Sequence, residues 1–214
     1  LSLTHHWDAA TTEGIPDRAT IEAKTRELDE MLTALRVAPD QDPYSGPAVL
    51  TGRAAGVFFH EIFGHRVEGH RLKRVDDAQT FRDMMDEAVL PPFISVHDDP
   101  TLHVFEGIDL NGYYRFDNQG VAAQRVTLVE DGVLRGVLQS RSPMRQGELS
   151  NGHGRRMPGK DAVTRQGNLL ITASRTVDGD KLREELLQRT EEAGLEYGLL
   201  IDDIQGGFTF TGRS

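Results

Sequence analysis

The segment HEIFGH, residues 60 to 65, constrains the backbone more than any other stretch of this chain, because it sets two histidines five residues apart around a glutamate. Each residue of an α-helix turns by about 100°, so His60 and His65 would point about 140° apart on a regular helix. The apolar run from Ala54 to Phe59 predicts a helix that leads into this segment. If both imidazoles serve one site, that helix must widen as a π-type turn does, and Gly64 is the residue where the backbone can yield.

An ordinary helix that happens to carry histidine, glutamate and histidine is the alternative, and spacing alone leaves both interpretations open. Two observations favour a metal site. The apolar run places His60 and Glu61 deep, where ionisable groups need partners. Further polar residues, Glu68 and His70, follow on the same stretch, and both are candidates to support the metal ligands from beside them. Glu68 would either hydrogen-bond a metal ligand or be an additional ligand, and otherwise it is an exposed residue at the helix end.

Composition excludes several classes of function. The formal net charge of −10 argues against a nucleic-acid-binding surface. No apolar run approaches the roughly 20 residues of a membrane helix, and no signal peptide is visible, so we expect a cytoplasmic protein with no membrane partner. The chain has no cysteine, so histidines, carboxylates or residues outside the chain must hold any metal. Because it begins at Leu1 and ends abruptly at Ser214, we expect a piece of a longer protein.

Periodicity and turn signals predict an α+β fold with a mixed, largely antiparallel sheet, a few helices and the motif on a distorted helix. Asp-Gly at 131–132 predicts a hairpin. The predicted helices are 19–37 with Asp17 as its cap, 52–68 with Gly69 as its stop, 76–87 and 180–192. The predicted strands are 48–51, 93–96, 122–129, 133–139, 168–173, 199–204 and 208–211. We expect an N-terminal segment with a linker helix over residues 1–46, and a second domain over 47–214 that is truncated at its C-terminal end.

Several segments of the second predicted domain, taken in order along the chain, resemble one known protein family. The stretch from Gly56 to Gly69, with HEIFGH at its centre, resembles the HExxxH segment of the TldD/PmbA family of metalloproteases. The resemblance continues through four further segments: Phe116–Val121 with Ala123–Arg125, the hairpin Leu128–Leu138, Asn151–Arg156, and Ile204–Thr209. Together these matches span about residues 45 to 211.

The resemblance implies a zinc-dependent peptidase in which His60 and His65 are metal ligands and Glu61 is the catalytic glutamate. Glu61 would act as general base on a zinc-bound water and pass the proton to the leaving amine. The third ligand of the family is a cysteine near the C-terminus of the full-length protein. Because this chain has no cysteine, we expect the third zinc ligand outside it.

The segment Asn151–Arg156 is the candidate substrate-binding region. Its glycines let a peptide approach the backbone closely, and Arg155 and Arg156 could bind carbonyls or a terminal carboxylate, with Asn151 and His153 beside them. The alternative is a surface turn with solvated arginines.

The resemblance also implies the partners. These are a short or unfolded peptide as substrate and a related subunit in a homo- or hetero-dimer. The competing interpretations are a non-catalytic partner subunit or regulatory binding module of the same family, and an α+β domain without activity.

Overall fold

The computed structural model describes residues 2–9, 11–73, 81–142, 144–145 and 147–204. Its helices are α1 (Arg18–Leu35), α2 (Gly52–Phe58), α3 (Gly69–Leu72) and α4 (Gly179–Glu192), with a π-helical turn at Phe59–Phe63 and 3₁₀ turns at Thr12–Gly14 and Gly64–Val67. Its strands are β1 (Ala48–Leu50), β2 (Ile94–Asp98), β3 (Val104–Phe105), β4 (Ile108–Asp109), β5 (Val126–Glu130), β6 (Val133–Leu134), β7 (Gly154–Arg155), β8 (Val163–Thr164), β9 (Leu169–Ala173) and β10 (Leu199–Ile201).

One compact unit combines the described residues up to Thr51 with residues 179–204. Its helix α1 begins where the sequence predicts, because Asp17 Oδ1 accepts a hydrogen bond of 2.8 Å from the Thr20 amide. No residue of α1 is buried within the described chain. Strands β1 and β10 pair in parallel.

The other unit, formed by residues 52–178, carries the motif. Its main sheet has the strand order β6-β5-β2-β9, and every pairing in it is antiparallel. Two small antiparallel pairs, β3 with β4 and β7 with β8, lie outside this sheet. Together with the parallel pair in the first unit, these sheets confirm the predicted α+β fold with a mixed, largely antiparallel sheet.

The motif segment packs on this sheet through its apolar side chains. Phe63 and Val67 belong to one buried cluster with Val96 of β2 and Leu128 of β5. Main-chain hydrogen bonds then fix the chain that follows the motif, because Leu138 N donates to Val67 O and Gly69 N donates to Leu138 O, both at 2.9 Å. The sheet therefore sets where the motif lies.

Several predicted boundaries differ from the structure, and the strands predicted over 133–139 and 199–204 end at Leu134 and Ile201. Gly69 does not stop a helix but begins α3, because its amide bonds to Leu138 O while the chain turns at Glu68. Residues 81–87 form turns instead of the end of a helix. Main-chain hydrogen bonds hold the end of this segment, because Asp86 N donates to Leu134 O and Leu134 N donates to Glu87 O. The strand predicted from residue 122 begins at Val126.

Other predictions remain open. The predicted strand 208–211 and residues 76–80 of the predicted helix lie outside the described residues. The compact units place residues 179–204 with the N-terminal part, whereas the predicted domains divide the chain after residue 46. That functional division stays a prediction.

The hairpin between β5 and β6 turns on the predicted Asp-Gly pair. Asp131 has φ 47° and Gly132 has φ 81°, so both residues adopt the left-handed conformation that this turn requires. A Cβ atom on Gly132 would lie 2.4 Å from Leu90 O and 2.9 Å from Pro91 O, both main-chain atoms. The position therefore demands glycine for its conformation and for its close approach to the neighbouring chain.

Replacing Gly132 with alanine is expected to lower the free energy of unfolding by about 3 kcal/mol, from left-handed strain and overpacking against main chain. Gly159 provides a matched control, because it has φ 74° but no atom within 4 Å of a built Cβ. Gly159→Ala should cost about 1 kcal/mol. Urea unfolding of both variants measures the difference, and equal losses would refute the close-contact argument.

Candidate metal centre

The motif helix widens where the two histidines require it. Helix α2 gives way at Phe59 to a π-helical turn that ends at Gly64, whose amide donates to both His60 O and Phe59 O. The wider turn brings the His60 and His65 rings onto the same side, with their centroids 4.7 Å apart and their planes at 70°. The predicted distortion of the helix is confirmed.

His60, Glu61 and His65 form a group that could hold a metal ion. One ligand atom from each lies within 4.8 Å of the others, and no other group of this kind occurs among the described residues. Glu61 lies between the two imidazoles, with its carboxylate oxygens 3.9 Å from His60 Nε2 and 3.8 Å from His65 Nε2. The His60 side chain is 51% exposed, whereas those of Glu61 and His65 are 19% and 18% exposed, so the group opens to solvent on the His60 side. The prediction that His60 lies deep is therefore wrong, because the apolar side chains that precede it do not cover its ring, whereas Glu61 is partly buried.

Glu68 orients His65 from the protein interior. Its side chain is fully buried, and Oε1 lies 3.1 Å from His65 Nδ1. The same carboxylate accepts hydrogen bonds from Arg71 Nε at 2.7 Å and from Arg165 Nη1 at 2.8 Å through Oε2. Of the alternatives for Glu68, the exposed helix end is wrong, and the residue hydrogen-bonds a candidate ligand.

Two opposing effects act on the Glu68 carboxyl. Burial raises its pKa, but hydrogen bonds from His65 and Arg71 and the charge of Arg165 outweigh burial, so the pKa falls below its ordinary value. The ionised carboxylate can therefore accept a hydrogen bond from Nδ1–H of His65. That arrangement leaves Nε2 of His65 as the nitrogen with a free lone pair.

His70 lies one turn further along, on α3, and is partly buried. It is not part of the group formed by His60, Glu61 and His65. Its predicted role beside the ligands stays a prediction.

Partly buried Asn151 and fully buried His153 support the loop that carries them. His153 is fully buried, with Nε2 3.0 Å from Asp98 Oδ1 and Nδ1 3.0 Å from the Asn151 main-chain oxygen. Asn151 accepts a hydrogen bond from Gln139 N at 2.7 Å and donates one to Val137 O at 3.0 Å. Their polar atoms are thus engaged within the protein.

Arg155 and Arg156 lie at the surface end of the same segment. The Arg155 guanidinium lies 4.1 Å above the Tyr114 ring, and its Nε donates to Asn118 Oδ1 at 3.2 Å. Burial and the charge of Asp98 raise the pKa of Tyr114, so its hydroxyl stays protonated and donates to Gly152 O at 2.9 Å. Arg156 is exposed. The Arg155 guanidinium is therefore held in place at the surface. Neither arginine belongs to the group formed by His60, Glu61 and His65.

Sequence reasoning missed three residues that support the site. Arg71 could have been found, because it lies three residues after Glu68 and helical neighbours at that spacing interact. Arg165 is 97 residues from Glu68, and Asp98 is 55 residues from His153, so no local pattern points to either contact.

Comparison with known protein sequences finds one family profile that covers most of the chain. The sequence profile of the PmbA/TldA metallopeptidase C-terminal domain matches residues 43–212. The chain is similar to a metalloprotease of Archaeoglobus fulgidus, with 36% identity over 56% of this chain and 27% of the relative. It is also similar to a metalloprotease of Methanocaldococcus jannaschii, with 31% identity over 77% of this chain and 33% of the relative. The chain thus spans about a third of the length of these curated relatives.

Solved structures share the fold at low sequence identity. A Thermotoga maritima protein, described as a candidate modulator of a DNA gyrase, aligns with a TM-score of 0.61 and 19% identity over 83% of this chain and 38% of that protein. TldE of Thermococcus kodakarensis aligns with a TM-score of 0.56 and 18% identity over 86% of this chain and 39% of that protein. Within the described residues, none of the helices has both the length and the apolar character needed to cross a bilayer.

Proposed function

Because this chain belongs to the PmbA/TldA metallopeptidase family, we propose that it carries the metal-binding part of a peptidase, in which His60 and His65 bind zinc and Glu61 is the general base. The observation that carries the proposal is the widened turn, which gathers ligand atoms of all three side chains within 4.8 Å. A regular helix would hold the two imidazoles apart. The cost of a widened turn is accounted for if both rings serve one ion.

The donor set fits zinc. Imidazole nitrogens are common zinc ligands, and catalytic sites combine three protein ligands with one open position. His60 and His65 supply two of the three, and the third is proposed to come from outside this chain. A bound zinc ion would polarise the scissile carbonyl and lower the pKa of a coordinated water.

The chain's own residues would then divide the remaining work. Glu68 accepts a hydrogen bond from Nδ1–H of His65, which leaves Nε2 as the nitrogen that would bind the ion. Glu61, between the two imidazoles, takes a proton from the attacking water and delivers it to the leaving amine.

The substrate in this proposal is a short or unfolded peptide. Arg155 is a candidate for binding a peptide carboxylate or carbonyl, because its guanidinium is already held by Tyr114 and Asn118 and loses little freedom on binding. Arg156 is a second candidate. The buried hydrogen bonds of Asn151 and His153 support an indirect role, in which they hold the loop beneath these arginines. A dimer with a related subunit and a cytoplasmic location complete the proposal.

Zinc binding is expected to depend on both histidines and to be weak in the 214-residue chain, because two imidazoles leave the ion poorly held against solvent. His60→Ala and His65→Ala should each raise the zinc Kd at least 10-fold. Acidification from pH 7.5 to 5.5 should weaken binding further, since imidazoles must lose a proton to bind metal. Competition with a chromophoric chelator measures these constants.

His103→Ala is the matched control, because His103 is exposed and stacks on Tyr113 away from the motif. It should leave the zinc Kd unchanged. The full-length protein should bind zinc more tightly than the 214-residue chain. Equal, tight binding by both would place the third ligand within this chain, and binding that survives both histidine variants would refute the site.

A further inference from the structure

Gln166 places an unsatisfied amide against the metal motif. Both polar atoms of its side chain, Oε1 and Nε2, are buried, and neither has a hydrogen-bond partner within the described structure. The amide packs directly on Gly64, where a built Cβ would lie 2.2 Å from Gln166 Oε1 and 2.6 Å from Nε2. Gly64 ends the widened turn between the two histidines. The side chain of Gln166 thus fills the space that any side chain at residue 64 would need.

The position of Gln166 is imposed by its neighbours in the chain. Arg165 on one side is fixed twice, by its main-chain N bonding to His153 O at 3.0 Å and its guanidinium bonding to Glu68 at 2.8 Å. On the other side, Gly167 N donates to the Asp98 carboxylate, at 3.0 Å to Oδ1 and 3.1 Å to Oδ2. With both flanking residues anchored, the Gln166 side chain is directed at the motif.

A buried amide without partners lowers stability, and such groups in native proteins need an explanation. A methyl or thioether group of similar size would fill the same space without that loss. An amide at this position is accounted for if its hydrogen bonds form in a second conformation of the turn. The amide already lies against Gly64 at the end of the widened turn, and that turn must adjust when both imidazoles converge on one ion.

We propose that Gln166 is a positioning residue of the metal centre, which hydrogen-bonds the main chain of the widened turn when His60 and His65 coordinate an ion. The inference rests on the proposed function. Gln166 packs against the turn in the conformation described here, and in the metal-coordinating conformation its amide locks the turn. Gln166 thereby lowers the stability of the zinc-free protein and raises the stability of the zinc-bound protein.

Gln166→Met tests this inference in the full-length protein, since methionine keeps the length of the side chain and removes the amide. In the presence of EDTA the variant should melt about 2–6 °C above wild type, because an unsatisfied amide is lost. Its zinc Kd, measured by chelator competition, should rise about 10-fold, because a hydrogen bond of the coordinating conformation is lost. A stability gain together with weaker metal binding is not expected of a residue that only fills space.

Thr164→Val is the matched control. Thr164 is fully buried on β8, and its Oγ1 also lacks a partner among the described residues, but the three atoms nearest to a Cβ built at Gly64 all belong to Gln166. It should raise the melting temperature in EDTA and leave the zinc Kd at the wild-type value. If Gln166→Met does not fold, Gln166→Leu replaces it with the same two expectations, because leucine also fills space and removes the amide.

The outcomes separate the two proposals. If zinc binding survives His60→Ala and His65→Ala, the metal centre itself is refuted, and the inference about Gln166 with it. If those variants lose zinc while Gln166→Met binds it as tightly as wild type, only the inference is overturned. A lower melting temperature of Gln166→Met in EDTA would also overturn it, because the amide would then be satisfied before zinc binds.

Discussion

Replacing Glu61 with glutamine is expected to leave zinc bound and to lower peptide hydrolysis by about 10²–10⁴-fold. Glutamine keeps the size of the side chain between the two imidazoles, but its amide cannot take a proton from water. Because His60 and His65 remain, the zinc Kd should change little. Hydrolysis of a fluorogenic peptide library by the full-length protein, with zinc content measured on the same samples, tests both halves of the expectation.

Glu185→Gln provides the control for this experiment. Glu185 is on α4, in the other compact unit, and forms at most a long ion pair of 4.0 Å with Arg189. That substitution should change neither zinc content nor hydrolysis. Undiminished hydrolysis by Glu61→Gln would refute the assignment of the general base, and loss of zinc would show that Glu61 is a ligand instead.

Glu68→Gln is expected to destabilise the protein by about 3 kcal/mol and to weaken zinc binding about 10–100-fold. The substitution removes the single carboxylate shared by Arg71 and Arg165. The side chains of Arg71 and Arg165 are 20% and 42% exposed. The loss of unfolding free energy should therefore lie at the lower end of the range of about 3–5 kcal/mol for breaking a buried ion pair. His65 would also lose the acceptor that fixes its tautomer. Urea unfolding and chelator competition measure the two effects separately.

The matched control removes a carboxylate from an exposed ion pair. Asp86 accepts a hydrogen bond of 2.7 Å from Arg135, but its side chain is 75% exposed. Asp86→Asn should therefore change the free energy of unfolding by less than about 1 kcal/mol, and asparagine also tolerates the φ of 67° at this position. Equal effects of Glu68→Gln and Asp86→Asn would contradict the role given to the buried carboxylate.

The candidate ligand group was predictable because its geometry is local. His60, Glu61 and His65 lie within six residues, so the helical repeat alone states that a regular helix cannot bring both imidazoles together. The π-helical turn at Phe59–Phe63 is the distortion that this reasoning requires. The remainder of the candidate site was not predictable in the same way. The segment Asn151–Arg156 gave no sign of which of its residues are buried, since that depends on the sheet beside it.

The sequence by itself determined features whose partners lie within about one helical turn or one hairpin. The Asp17 cap of α1, the Asp131–Gly132 turn and the widening of the motif helix all belong to this class. Only the tertiary structure decided that Glu68 is buried and pairs with Arg165, and that Gln166 presses on Gly64. The physical reason is that periodicity and turn chemistry encode neighbours along the chain. Contacts between distant segments follow from how strands pair and helices pack, which no short stretch of residues specifies.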